Sequence, residues 1–554
     1  MNDFERKLRD TPLRQPPAKW RAEILDPLPA HDAPAENAAA RWSSSASPGR
    51  LFGKETEARS SRATRPLLAF LTKPATIFCL FIVTVVTGGA ALFVGANSAG
   101  RTAWERYSDD ARARGVKMSL QEMLPARVPD AENFAAVPLF ANLFSDDEAV
   151  RKKASDALGL NFLERGNEAR HTAFSTATLC RLADWQVSFV KTGDLPAASA
   201  DPAADVLRAI AHRFGPDLAE LAEAERRPHA VFPVKWELGI AAMLPHIQQI
   251  QKAAKVHVLR LSAHLAQRDS TAAYAEFRGL LRLYRALEKE PTLISGLVRI
   301  SVLQLAVSGV WEGVITGAWD PASLEKIQND VADLDLLADA LFAFSAERAF
   351  MNSVLDSARS GNAPIDGTWG GFSNDNMGWD MILRAIPKIP GWISLNQIAM
   401  NRFYDQFPAR IDVAAARFHD TGETDAEVQA IDRSIVKQHI YVLYRLMVPS
   451  FMVVEKKFLH THTALQPSAL ACALERCRLA DGAYPETLAS QVPRYVSALP
   501  HDVMTGEPLH YRRTADGKFL LYSVAGNGTD DGGAIGEKKT DSTPLDWAWR
   551  WPAP

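Results

Sequence analysis

The chain has 554 residues, 47% of them hydrophobic and 23% charged, with a net charge of −3. That length holds two or three domains, and the composition is that of a folded protein. Charge is shared unevenly: residues 1–74 carry 13 Lys/Arg against 9 Asp/Glu, which leaves this tail at +4 and the remainder at −7. A body of that sign has no broad electrostatic attraction for nucleic acid, so no nucleic-acid partner is expected. Four scattered cysteines (Cys79, Cys180, Cys472 and Cys477) give neither a CxxC pair nor a Cys/His set with zinc spacing.

The first 25 residues read as two short amphipathic pieces, with Phe4 and Leu8 one turn apart in the first and Trp20 and Ile24 in the second. Pro12, Pro16 and Pro17 separate them, and neither is long enough for a stable isolated helix. The composition predicts disorder, or a docking peptide that folds on a cytoplasmic protein partner with Trp20 and Ile24 as anchors. The segment is similar to N-terminal peptides of bacterial membrane proteins of the anti-sigma type. From Pro27 to Arg50 the chain is rich in Pro, Ala and Ser, which is linker composition.

Ala75 to Ala96 is a run of 22 residues without a charged side chain. At about 1.5 Å per helical residue, roughly 20 apolar residues cross a hydrocarbon core of about 30 Å. The run lacks the polar stripe of an amphipathic helix and starts too late for a secretory signal. It predicts a transmembrane helix and a lipid bilayer as partner. The implied organisation is a cytoplasmic tail at 1–66, the span with its flanks at 67–99, a helical extracytoplasmic domain at 100–430 and a C-terminal module at 431–554. Four basic residues flank the run on each side within 20 residues, so the positive-inside rule does not choose an orientation.

The body is predicted to be almost wholly helical after a proline-bounded stretch between Pro125 and Pro138 that runs extended or in turns. Apolar residues recur at three- and four-residue spacing over Pro202–Ala224, Trp236–Gln267, Thr271–Glu290, Thr292–Ala318 and Pro321–Ser360. Asp269 or Ser270 is expected to cap the helix opening at Thr271. Thr292–Ala318 carries Arg299 and Glu312, each costing at least ~2.5 kcal/mol at mid-membrane, so it reads as the centre of a bundle. His439–Val454, interrupted by Arg445 and Pro449, reads as buried core. Ser360–Asp380, rich in Gly, Asn and aromatics, is expected to be a structured surface loop, with a ligand-binding lid as the alternative.

The C-terminal end changes character. A helix is expected to close at Gly482, and Leu509–Arg513 and Lys518–Val524 flank an Asp516-Gly517 turn as a β-hairpin. Asp481, Gly482, Tyr484 and Pro485 are followed by Pro500, Asp502, Gly506, Pro508 and Tyr511. Leu521, Tyr522, Ser523, Asn527, Gly528, Asp530 and Asp531 complete the series. In that order these residues resemble the globular domain of type II secretion major pseudopilins, over about 70 residues. The resemblance implies a small α+β module whose acidic loop holds calcium through Leu521, Ser523, Asn527, Asp530 and Asp531. Ala525 and Met504 depart from the pattern, and the processed N-terminal helix of pseudopilins is absent, so assembly into a pseudopilus is not implied. The whole chain resembles bacterial single-pass membrane proteins that carry this module at their end. With the tail's charge, this favours a C-terminal body in the periplasm and a tail inside the bacterial cytoplasmic (inner) membrane.

On its own merits the loop could offer calcium its oxygens, because that ion accepts Asn and carbonyl donors beside carboxylates. An EF-hand template fails, since Glu537 falls one residue short of the last position. The competing reading is a solvated Asp-Gly turn. Trp547, Trp549 and Trp551 alternate and are expected to pack the terminus onto the body. No GxSxG, HExxH, GxxxxGK or GxGxxG is found. His460 and His462 fall on opposite sides of a helix, while Glu237, Glu347 and Arg348 are candidates for buried ion pairs. The fold class expected is mainly α, with one transmembrane helix, a helical extracytoplasmic domain and a small α+β module. The function expected is a non-enzymatic scaffold or binding protein, with a transmembrane regulator or an enzyme with a site near Ser360–Asp380 as alternatives.

Overall fold

A computed structural model describes residues 74–160, 177–360, 390–419, 423–524, 528–534 and 546–552. The expectations placed on the tail and on the loop beyond Ser360 lie outside these residues, as does Asn527. Among the described residues the fold is mainly helical, with one two-stranded and one three-stranded antiparallel sheet. Residues from Val83 to the C-terminus form one compact unit.

Helix α1 runs from Pro74 to Ala113 and contains the whole uncharged run. Its C-terminal half lies on α10 (Pro390–Asp405), where Gly100 and Gly391 bring two backbones together. A Cβ at Gly100 would come within 2.5 Å of the Gly391 carbonyl oxygen, so only glycine permits this approach. Asn97 Oδ1 accepts the Gly391 amide at 2.5 Å, and the Tyr107 hydroxyl donates to Asp405 Oδ2 at 2.6 Å.

After α1 the chain passes through short 3-10 turns at Leu120–Glu122, Asp130–Glu132 and Phe134–Ala136. The prolines here deny the chain a continuous helix. Helices α2 (Glu148–Asp156), α3 (Leu182–Lys191) and α4 (Pro202–Arg226) follow. Then come α5 (Pro245–Ala266), α6 (Ser270–Ala286), α7 (Leu293–Ile315), α8 (Pro321–Ala332) and α9 (Leu336–Ser360). Asp269 is the cap of α6, its carboxylate accepting the Ala272 amide at 2.9 Å.

Two predicted helices are each divided. Trp236–Gln267 is divided: Pro245 takes the first turn of α5, a position that suits proline, and residues Trp236–Ala241 form a 3-10 segment through Gly239 at φ +54°. Pro321–Ser360 breaks at Asp333–Asp335, where the Asp335 carboxylate accepts the Ala338 amide at 2.9 Å and starts α9.

Helix α7 occupies the centre, packed by α5, α6, α9 and α11 (Val442–Asp481). It is long and apolar enough to cross a membrane by length and composition, but 72% of its apolar window is buried in the fold. Its two ionisable side chains have partners inside the fold: Arg299 pairs with Asp339 at 2.7 Å, and Glu312, whose carboxyl burial pushes up, accepts the Ser262 hydroxyl at 2.6 Å. Buried polar groups are tolerated in a helix this apolar because each is paired or hydrogen-bonded.

Helix α11 continues through Pro449 and Pro467 to a left-handed cap at Gly482, φ +80°. The segment His439–Val454, expected to be buried core, is buried along one side. Leu443, Tyr444, Met447, Val448 and Phe451 are buried, but Val442, Leu446 and Val453 face outward. The helix is amphipathic in this half because only one side meets α10 and α9.

Strands β1 (Ile411–Asp412) and β2 (Arg417–Phe418) form a small ribbon. Strands β3 (His510–Arg513), β4 (Phe519–Ser523) and β5 (Trp547–Trp549) form the second sheet in that order. Arg513 pairs with Phe519 across the Asp516-Gly517 turn, and Gly517 takes φ +78°. Trp549 is completely buried, and the Trp311 indole of α7 donates to the Arg550 carbonyl at 2.8 Å. The tryptophan-rich end is thereby tied to the centre of the helical core.

Candidate functional site

Strand β4 ends in the acidic loop. Leu521 is fully buried in the middle of the sheet, paired with Tyr511 on one side and Trp549 on the other. Ser523 is also buried, and its hydroxyl donates to Asp502 Oδ2 at 2.6 Å. The same oxygen accepts the Val524 amide at 3.0 Å, while Oδ1 accepts the amides of Met504 and Thr505 at 2.9 and 3.2 Å. Asp502 therefore joins the segment before the hairpin to the start of the loop.

Asp530 accepts the Gly532 amide at 2.8 Å and the Tyr522 hydroxyl at 2.9 Å, with His510 Nδ1 at 3.5 Å. The Gly532 amide and then the Tyr522 hydroxyl hold its carboxyl below the usual carboxylate range. Asp531 donates its amide to Asp546 Oδ2 at 3.0 Å, and Gly533 donates to the same oxygen at 2.8 Å. Asp546 is 1% exposed, and its Oδ1 has no hydrogen-bond partner among the described residues. Burial raises its pKa, and the neighbouring Asp531 and Asp530 charges add to that.

Of the five residues expected to hold calcium, Asp531 meets Asp546 through its backbone amide, Asp530 is turned to Gly532 and Tyr522, and the Ser523 hydroxyl is directed at Asp502. Among the described residues no group of three or more His, Cys, Asp or Glu is arranged to hold a metal ion. The donors needed here are largely carbonyls and Asn, and the orphaned Asp546 oxygen is the feature a cation would satisfy. Asp546 escaped sequence reading because it lies far along the chain from the Asp530-Asp531 pair and no motif marks it.

Among the described residues the helical core holds further polar clusters, three of them around His246, His257 and Cys180. His246 lies 2.7 Å from Glu290, which also accepts Ser295 Oγ at 2.8 Å. His257 lies between Glu276 and Glu225 at 2.8 and 2.7 Å. Cys180 contributes its amide to Glu312 at 3.3 Å, beside Ser262. Burial and then the Glu312 carboxylate push the Cys180 thiol far above its ordinary value, which is opposite to what a nucleophile requires. Cys180, Cys472 and Cys477 are free.

The expected ion pairs change partners. Arg348 pairs with Asp405 at 3.0 Å rather than with its neighbour Glu347. Glu347 accepts the Leu293 amide at 3.1 Å, and burial pushes its carboxyl up to about 7. Glu237 is exposed, because its segment is a surface 3-10 turn. His462 is buried with neither ring nitrogen hydrogen-bonded, and burial takes its pKa down to about 4, so it is neutral.

No family model, curated protein or solved structure matches the chain. The class defined by the fold is a mainly helical protein with a small antiparallel C-terminal sheet.

Proposed function

We propose that this is a single-pass protein of the bacterial cytoplasmic membrane whose periplasmic body is a non-enzymatic scaffold or binding module. The observation that carries the reading is the uncharged run within α1. Val94, near its end, is 64% exposed, the highest exposure of any large apolar residue described. Water would penalise such a surface, and lipid would not. The Gly100–Gly391 contact then fixes the helix emerging from the bilayer to the body. Alkaline carbonate extraction of cell membranes tests this. The full chain should stay in the pellet, and protease outside sealed spheroplasts should digest the body while sparing the tail. Release into the supernatant would remove the reading.

Calcium is the proposed structural ion of the C-terminal module, held by Asp530, Asp531 and Asn527 with the Leu521 carbonyl, and with Asp546 beside them. Its role there is to offset clustered carboxylates and close the loop. Millimolar calcium should raise the melting temperature of the full chain, and Asp531→Asn should abolish the increase. An unchanged wild-type melting temperature would argue against the metal.

A further inference from the structure

The face of α1 carrying Arg101, Glu105, Asp109 and Arg112 looks across a groove of about 430 Å³ at Asp356 and Arg359, near the end of α9. Positions 101, 105, 109 and 112 recur at helical spacing, so one side of one helix supplies most of the wall. Three guanidinium groups and three carboxylates make the groove neutral overall. Several are already matched. Arg359 pairs with Asp356 at 2.7 Å and lies over the Trp104 ring at 5.8 Å. Arg112 donates to Ser108 Oγ at 3.0 Å and lies 3.9 Å from Asp109.

Arg101 and Glu105 are different. Neither has a hydrogen-bond or ion-pair partner among the described residues, although they are one turn apart. The cationic residue comes first, which is the weaker order for an i, i+4 pair. The groove thus offers one unspent cation and, about 6 Å further along the helix axis, one unspent anion.

Arg101 lies five residues beyond Ala96, or about 7.5 Å along the helix, and Glu105 about 6 Å further, its side chain leaning back toward the helix N-terminus and the bilayer. A headgroup layer is roughly 5–8 Å deep on each side of the hydrocarbon. In a phospholipid with an ethanolamine headgroup the phosphate comes first from the glycerol and a primary ammonium follows. That order matches Arg101 followed by Glu105.

We propose that this groove binds the phosphoethanolamine headgroup of a phospholipid from the adjoining leaflet, with phosphate on Arg101 and ammonium on Glu105. The proposal rests on the membrane reading above. Both contacts are charge-assisted hydrogen bonds, and an ammonium brings three N–H donors to the carboxylate. A choline headgroup has no N–H to give. A glycerol headgroup supplies only the negative charge and leaves Glu105 uncompensated in the groove.

The test uses the full chain in detergent, offered equal amounts of ethanolamine, choline and glycerol phospholipids and read by native mass spectrometry. Ethanolamine lipid should be retained at least tenfold over the other two, and Arg101→Ala and Glu105→Gln should each bring it to the choline level. Both positions are exposed, so the variants should keep the wild-type circular dichroism. Equal retention of all three lipids, or retention unchanged in both variants, overturns the proposal. So does inorganic phosphate competing as well as sn-glycero-3-phosphoethanolamine in a titration of the same sample, which would make the groove a plain anion site. Carbonate extraction separates the two readings. A chain that stays in the membrane without ethanolamine preference loses the groove alone. A chain released by carbonate that still takes glycerophosphoethanolamine through Arg101 loses the membrane and, with it, the lipid source.

Discussion

His257 Nδ1 of α5 and Glu276 Oε2 of α6 lie 2.8 Å apart with both side chains almost excluded from water, and Glu225 of α4 closes on Nε2 at 2.7 Å. One imidazole therefore joins three helices. Burial alone would discharge it, but the Glu225 and Glu276 carboxylates outweigh burial and push its pKa up to about 10. The ring is an imidazolium at neutral pH.

A folded-state pKa above the unfolded value of about 6.5 stabilises the protein fully below that value. The contribution falls as pH rises and is gone above about 10. His257→Gln should therefore cost most near pH 6, where losing one member of a buried pair is worth ~3–5 kcal/mol. The gap between wild type and variant should shrink by pH 10.5. Urea unfolding at pH 6, 8 and 10.5 measures it, and a gap constant with pH would contradict the charged imidazole.

Gly279 makes room for that ring. A Cβ there would lie 2.4 Å from His257 Cε1. In a helix, Gly→Ala ordinarily stabilises by up to ~1 kcal/mol. Here the steric term is about 1–3 kcal/mol with the ion pair disturbed as well, so the clash wins. Gly279→Ala should lower the melting temperature. A rise would mean that His257 has another place to go.

Asp502 should prove the hub of the C-terminal module. Its carboxylate accepts the Ser523 hydroxyl and three backbone amides. Each buried donor left unmatched costs about 1–3 kcal/mol. Asp502→Ala should speed hydrogen exchange at Met504, Thr505 and Val524 before it affects α7. Uniform acceleration across the chain would instead indicate that the sheet and the helical core unfold as one.

Trp549 locks the final strand. It is fully buried, and an aromatic-to-alanine change in a core costs about 3–5 kcal/mol. Trp549→Ala should release β5 from β4, and limited proteolysis should then remove the end of the chain while the helical body survives. An intact terminus under those conditions would show that the Trp311–Arg550 hydrogen bond holds without it.

Features governed by neighbours in sequence were readable in advance. Asp269 as a cap, the Gly482 stop and the Asp516-Gly517 hairpin all follow from local φ/ψ preferences and side-chain reach. The break at Pro245 obeys the same local rule, yet the apolar periodicity of the surrounding stretch hid it. The partners of Arg348, Glu347 and Asp546 were out of reach, since each is supplied by a residue on another element or by a distant part of the chain.

The amino-acid sequence by itself determined the helical periodicity, the uncharged run in α1 and the turn that sets the register of β3 on β4, because each depends on contacts within a few residues. Only the tertiary structure decided that α7 belongs to the core, that His257 carries charge, and that Arg101 and Glu105 face a groove. Burial and charge pairing are properties of elements that meet in space, and their free energies depend on which groups are desolvated together.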